Sequence, residues 1–186
     1  KKVLGKYTYE THPTHGTFAT EPLPGTTAVL EYRPALNSQE MPSILISSVG
    51  HIFTKATATV DPGEDHGSDD CSVNINCQEG AEWQEQKAGV VQMLMRQGRY
   101  LSLCSGDLLN NTNEDFTPYI ISAAHCESLS TTRKTSESDL DQWIFTFHYE
   151  KLGCSSGSFA LGRGKTMVGC DLMALLKGNR MGFCSN

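Results

Sequence analysis

His125 is the residue whose surroundings first point to chemistry. It closes a Tyr119-Ile-Ile-Ser-Ala-Ala run that reads as a half-buried strand, and Cys126 follows it directly. A second cysteine, Cys104, ends the earlier strand-like run Tyr100-Leu-Ser-Leu. A disulfide between these two would pin one strand end to its neighbour and fix the backbone of His125 where its strand leaves the sheet. The small Ala123 and Ala124 leave room for a partner to approach the ring. An imidazole ordinarily titrates near neutral pH, so a well-held one suits general-base work. The competing expectation is a buried, hydrogen-bonded histidine beside a disulfide, with no reactive role.

The elements that would hold such a residue are short strands. Before residue 60 the candidates are Lys6–Tyr9, Thr26–Tyr32 behind Pro24-Gly25, Ser43–Val49 and His51–Thr54. No 3.6-residue apolar period lasts long enough to predict a helix. Asp61-Pro-Gly-Glu-Asp-His-Gly-Ser-Asp-Asp70 carries no apolar side chain that could drive burial and reads as a solvated linker; a calcium loop is the sharper alternative, without the alternating ligands and terminal Glu of an EF-hand. Beyond it, Trp83–Met95 passes from a turn into a strand, and Tyr100–Cys104 with Asp107–Leu109 forms a second β segment. Pro118–Ala124 is a third strand and Gln142–Tyr149 a fourth, with Trp143, Phe145 and Phe147 alternating against Ile144, Thr146 and His148. Thr166–Val168 and Leu172–Leu176 are a fifth and sixth. Many short strands with turns between them argue for an all-β barrel or sandwich.

Composition narrows the classes. The 186 residues carry 15 basic and 21 acidic side chains, a formal net charge of −6, with no dense basic stretch, so a nucleic-acid surface is not expected. Apolar residues make up 38% and fall in short clusters, too short for a membrane-spanning helix. The chain begins with Lys1 and no signal-type segment follows, so it is expected to start inside a larger translated product. All seven cysteines fall from Cys71 onward, which points to disulfides in an oxidising compartment, secreted or periplasmic. The count is odd, so at least one thiol lacks an intramolecular mate. No CxxC pair has zinc-type spacing, and neither a metal nor a cofactor is expected.

The segment Ser122-Ala-Ala-His-Cys126, with Cys104-Ser-Gly-Asp-Leu-Leu109 upstream, resembles the histidine motif of trypsin-like (chymotrypsin-fold) serine proteases. Cys71-Ser-Val-Asn-Ile-Asn-Cys77-Gln-Glu-Gly80, Leu108-Leu-Asn-Asn-Thr112, Asp115-Phe-Thr-Pro-Tyr119 and Trp143–Tyr149 resemble the bacterial lysyl endopeptidase-like branch. Ala19-Thr20 through Tyr32 is similar, more weakly, to a β-rich region in front of such proteases. The resemblance covers most of residues 17 to 176. It implies an all-β fold: an N-terminal β-rich, pro-like region over residues 1–62, then over 63–186 the first Greek-key barrel of a chymotrypsin-like double barrel, with the second barrel missing. It implies a secreted serine endopeptidase, made as a zymogen and acting on peptides or proteins, with cleavage after lysine. The mechanism would be acyl transfer by a Ser-His-Asp triad.

In that resemblance His125 is the general base and Asp171, heading Asp171-Leu-Met-Ala-Leu-Leu176, is the orienting acid. One extra residue before the Leu-Leu pair and Cys170 just ahead of it depart from the pattern. The resemblance also implies bridges Cys104–Cys126 and Cys77–Cys154, leaving Cys71 for a cysteine in an absent C-terminal half. Cys170 and Cys184 have no counterpart and are candidates to pair locally. The nucleophile is missing: Ser156, in Gly153-Cys-Ser-Ser-Gly-Ser158, follows the histidine too closely for a second barrel to intervene and reads as loop. This chain is therefore expected to be inactive alone, with the rest of its precursor as a possible second chain. The alternative from another class is a non-catalytic secreted β-rich binding module or pseudo-protease.

Other motifs carry less. Gly162-Arg-Gly-Lys-Thr166 ends like a phosphate-binding loop, but Phe159 stands where its first glycine belongs. His148-Tyr-Glu150 has no Pro-Cys-x-x-Cys partner for deaminase chemistry, and His148 is expected on the strand face opposite Phe147. His12 and His15 flank a proline and read as solvated. Asn110-Asn-Thr112 is a glycosylation sequon by pattern, with a turn as the plainer meaning.

Overall fold

The computed structural model describes residues 3–8, 17–39, 41–52, 73–127, 135–154, 165–176 and 181–185. The linker at 61–70, Cys71, His12, His15, Ser156 and most of the Gly162–Lys165 segment lie outside them.

The described fold is mostly β. A short 3-10 helix (Gln78–Trp83) runs into α1 (Gln84–Lys87), followed by β1 (Val90–Gln97), β2 (Tyr100–Leu109), β3 (Tyr119–Ala123), α2 (Ala124–Glu127), α3 (Glu137–Leu140), β4 (Ile144–Phe147), β5 (Thr166–Val168), β6 (Asp171–Leu176) and β7 (Met181–Ser185). The seven strands form one sheet in the order β5-β4-β1-β2-β3-β7-β6, with every neighbouring pair antiparallel. All six strands expected beyond the linker form. β7 was not anticipated; Met181-Gly-Phe-Cys-Ser is too short a run, with a glycine inside it, to stand out as a strand.

β5 and β6 lie at opposite edges of the sheet, yet only Gly169 and Cys170 separate them in the chain. Three Cα–Cα steps span at most about 11 Å, so the sheet must roll until its two edges approach. Gly169 makes this corner with φ +84, a left-handed backbone that a side chain would strain. Its amide donates to Trp143 O at 2.9 Å, and that of Cys170 donates to Leu140 O at 3.2 Å, which ties the corner to the start of β4.

The core lies inside this roll. Val91, Met93 and Met95 alternate along β1 on one buried face, as a period of two requires. Against them pack Ile120 of β3, Trp143, Phe145 of β4, Leu140 of α3, Cys126 and Cys170. Each fully buried large side chain contributes about 1.5–3 kcal/mol. Trp143 also donates its indole N–H to Arg96 O at 3.0 Å, so the largest core residue has no orphan polar atom.

Among the described residues before 73 there is neither helix nor strand. Thr26–Tyr32 and Ser43–Val49 do not pair, contrary to the strands expected there. A β-branched, apolar run becomes a strand only when another backbone accepts its hydrogen bonds, and none does here. Large apolar groups are consequently exposed, Leu36 at 96% and Leu45 at 89%. The segment touches the sheet where the Thr166 hydroxyl of β5 donates to the Glu21 carboxylate and where Gly50 lies against Leu101 of β2. Nearby, the Tyr7 and Phe18 rings meet tilted, centroids 5.1 Å apart, and burial together with the Glu21 charge pushes the Tyr7 hydroxyl above its usual range. β4 ends at Phe147, and His148 adopts φ +53 in a turn, so it is not on the strand face opposite Phe147.

Candidate active site around His125

β3 delivers the site. Its last residue, Ala123, is followed at once by the one-turn helix α2, whose second residue is His125. The His125 side chain is exposed while Cys126 and Glu127 on the same turn are buried. The ring is therefore not packed inward, and the inert buried-histidine expectation does not apply.

Both bridges that the resemblance implies are formed. Cys104 of β2 is joined to Cys126 across 6.1 Å between Cα atoms, and Cys77 is joined to Cys154. The first bridge fixes the residue directly after His125 to the neighbouring strand β2. Beside it, the Ser122 hydroxyl donates to Ser105 O at 2.7 Å, a second tie between β3 and β2. A ring nitrogen of His125 lies within 4.8 Å of both Cys104 and Cys126 sulfurs. Those sulfurs are bonded to one another, so the trio is an imidazole against a disulfide and not a set of thiolate ligands. Cys170 is buried and belongs to neither bridge; the side chain of Cys184, its expected local partner, lies outside those described.

The tip of the β1–β2 hairpin closes over the turn. Gln97 Nε2 donates to Cys126 O at 2.7 Å and Glu127 O at 3.0 Å, and the Thr135 hydroxyl also donates to Glu127 O. Neighbouring Arg96 pairs with Asp139 at 3.4 Å and donates to Gln142 Oε1 at 2.6 Å. Asp139 in turn accepts from Gly98 N and closes a capping box with Ser136 at the start of α3. Sequence reading missed all of these residues. Gln97, Arg96 and Gly98 reach partners 29 to 46 positions away, which no local pattern announces; Thr135 and the Ser136–Asp139 capping box act over 8 and 3 positions.

Asp171 is exposed at the first position of β6, and the register shows where that is. Asp171 stands opposite Ser185, which stands opposite Tyr119 at the start of β3. Leu176 stands opposite Met181, which stands opposite Ala123 beside His125. Asp171 and His125 thus occupy opposite ends of this ladder, about 13 Å apart along the strands alone. The structure does not bring these two residues together. Spacing in sequence showed that a strand could return to the sheet, not which of its ends would meet the histidine.

Away from the histidine, Lys87 Nζ meets Glu150 Oε1 and Asn76 Oδ1, each at 3.1 Å, and Asn76 Nδ2 donates to Lys151 O. This half-buried cluster supports the Cys77–Cys154 bridge and binds the first helical turns to the segment after β4.

A family model for the C-terminal domain of lysyl endopeptidase matches residues 66–179, more than half of the chain. The chain belongs to this family. It is a protease-related protein, and its lysyl endopeptidase domain holds His125, both bridges and strands β1 to β6. β7 and the described residues before 66 fall outside the matched range. No curated protein matches the chain. Two disulfides in a lysyl endopeptidase domain are consistent with an extracellular protein. Among the described residues, no helix is long and apolar enough to cross a membrane.

Proposed function

We propose that this chain is the histidine-bearing part of a secreted serine endopeptidase that hydrolyses peptide bonds, with a preference for bonds following lysine. The observation that carries the reading is the exposed imidazole of His125, held at a strand exit between a disulfide and a buried amide. His125 would take the proton of a serine hydroxyl as it attacks the scissile carbonyl and return it to the leaving amine. The serine is proposed to come from polypeptide other than these 186 residues, either the same precursor or a second chain, and to stand in a second barrel against this one. Residues 1–62 are proposed as a pro-like region in front of the protease domain.

The orienting acid in this reading is Asp171. With β7 between them, β3 and β6 run parallel, which puts Asp171 at the wrong end. Pairing β6 directly and antiparallel onto β3 would set the start of β6 beside the end of β3, and so Asp171 beside His125. We propose that the complete enzyme adopts that pairing. The separation seen here is what favours the second reading, a secreted β-rich binding module without catalysis.

One experiment decides between them: assay of the complete protein, and of this 186-residue chain alone, on peptides containing lysine. The complete protein should turn over and the chain alone should not. His125→Ala should lower kcat by at least about 10³-fold. Full activity in His125→Ala, or a complete protein that does not react with a serine-directed phosphonate, would overturn the endopeptidase reading.

A further inference from the structure

We propose that Gln97 is a positioning residue for His125, seconded by Thr135. The proposal rests on the reading of His125 as the general base and adds to it the group that sets the ring in place.

Gln97 ends β1 and is 4% exposed. α2 is only four residues long, so its carbonyls find no donors within the helix. The two that directly follow His125 obtain theirs from a different strand: Gln97 Nε2 uses both of its protons, one on Cys126 O at 2.7 Å and one on Glu127 O at 3.0 Å. Cys126 is therefore held from two sides, by its sulfur to β2 and by its carbonyl to β1. A residue fixed at both ends leaves its neighbour little backbone freedom, and His125 is that neighbour. The Thr135 hydroxyl adds a second donor to Glu127 O.

The amide has only one sensible orientation, because turning it over would aim its oxygen at two carbonyl oxygens. Its own Oε1 is buried and takes no donor. A glutamine kept only to fill space would be better replaced by an apolar side chain of the same shape. What Gln97 provides is its pair of N–H groups, and both are spent on the turn that carries the imidazole. General-base catalysis tolerates little misplacement of the base, so this hold should appear in turnover rather than in substrate binding.

The test compares kcat and KM of the complete protein on a lysine-containing peptide for the parent, Gln97→Met and Gln97→Lys. Methionine keeps the shape and removes both donors; lysine restores donors. The proposal expects kcat of Gln97→Met to fall at least about tenfold with KM within about twofold, and Gln97→Lys to recover most of the loss. An unchanged kcat in Gln97→Met, or a loss that Gln97→Lys does not recover although the variant is folded by near-ultraviolet circular dichroism, overturns it. Should Gln97→Met fail to fold, Thr135→Val takes its place: a kcat at least about threefold lower supports the proposal and an unchanged kcat overturns it. His125→Ala is run alongside. If that variant stays active, the base assignment itself is wrong; if it is dead while Gln97→Met is fully active, only the positioning role fails.

Discussion

His125 sits on a single helical turn, and four residues of helix cannot hold a ring by their own hydrogen bonds. Among the described residues, what fixes it arrives from β1, β2 and Thr135. Gly106 shows how tightly that surrounding is packed. A Cβ added there would lie 2.8 Å from Ile120 Cγ2, 2.9 Å from Ile121 O and 3.0 Å from Met93 Sδ, two residues from the bridge-forming Cys104. Gly106→Ala should cost about 1–3 kcal/mol, read as a lower midpoint in denaturant. A neutral result would mean that β2 and β3 can part without penalty. Asp115, in the loop between them, makes a prediction about acid. Hydrogen bonds from the Thr117 hydroxyl, Asn111 and the Thr117 amide hold its carboxyl at about 2, below its ordinary 3.8. The folded value lies below the unfolded one, so the loop's contribution is complete above about pH 4 and is lost as pH falls toward 2. Amide resonances of Asn113 and Thr117 followed across that window should shift together in the parent and stay flat in Asp115→Asn.

The strands beyond the linker were legible because each follows a strong local rule. β1 alternates Val91, Met93 and Met95 inward, and β4 is dense in aromatics. The histidine and its bridge were legible because they are contiguous in sequence. What was not legible depends on partners. Thr26–Tyr32 has the composition of a strand but pairs with no strand among the described residues, and composition cannot report a neighbour. Gln97 lies just past the expected Trp83–Met95 strand, with nothing local to mark its reach to Cys126. Asp171 was placed at the start of the right strand, but which end of β3 it meets is a matter of sheet order. At the element scale the Lys87–Glu150 contact makes a further prediction. Lys87→Ala leaves Glu150 half-buried without its cation and Asn76 without a donor, and should destabilise the chain by about 1–3 kcal/mol. The loss should largely disappear in the Lys87→Met, Glu150→Gln double variant, where no charge is left behind.

Over the whole molecule, order is uneven. The sheet has a core of Trp143, Phe145, Val91, Met93 and Met95, whereas residues 26–39 and 41–49 leave large apolar side chains exposed and pair with no strand among the described residues. Trp143→Ala should remove about 3–5 kcal/mol and strip most of the near-ultraviolet signal. Limited proteolysis should cut first within 26–49 and leave a resistant fragment containing both bridges, provided they are kept oxidised. A fragment that retained residues 26–49 to the end of digestion would show that this stretch is protected in solution.

The Gly169-Cys170 corner joins the two margins of the sheet, and a sulfhydryl sits in it, shielded from water. Neither margin can peel away without pulling on that joint. A maleimide should therefore leave Cys170 untouched until the corner itself gives way, so the rate of its labelling becomes a clock for the loosening of the sheet.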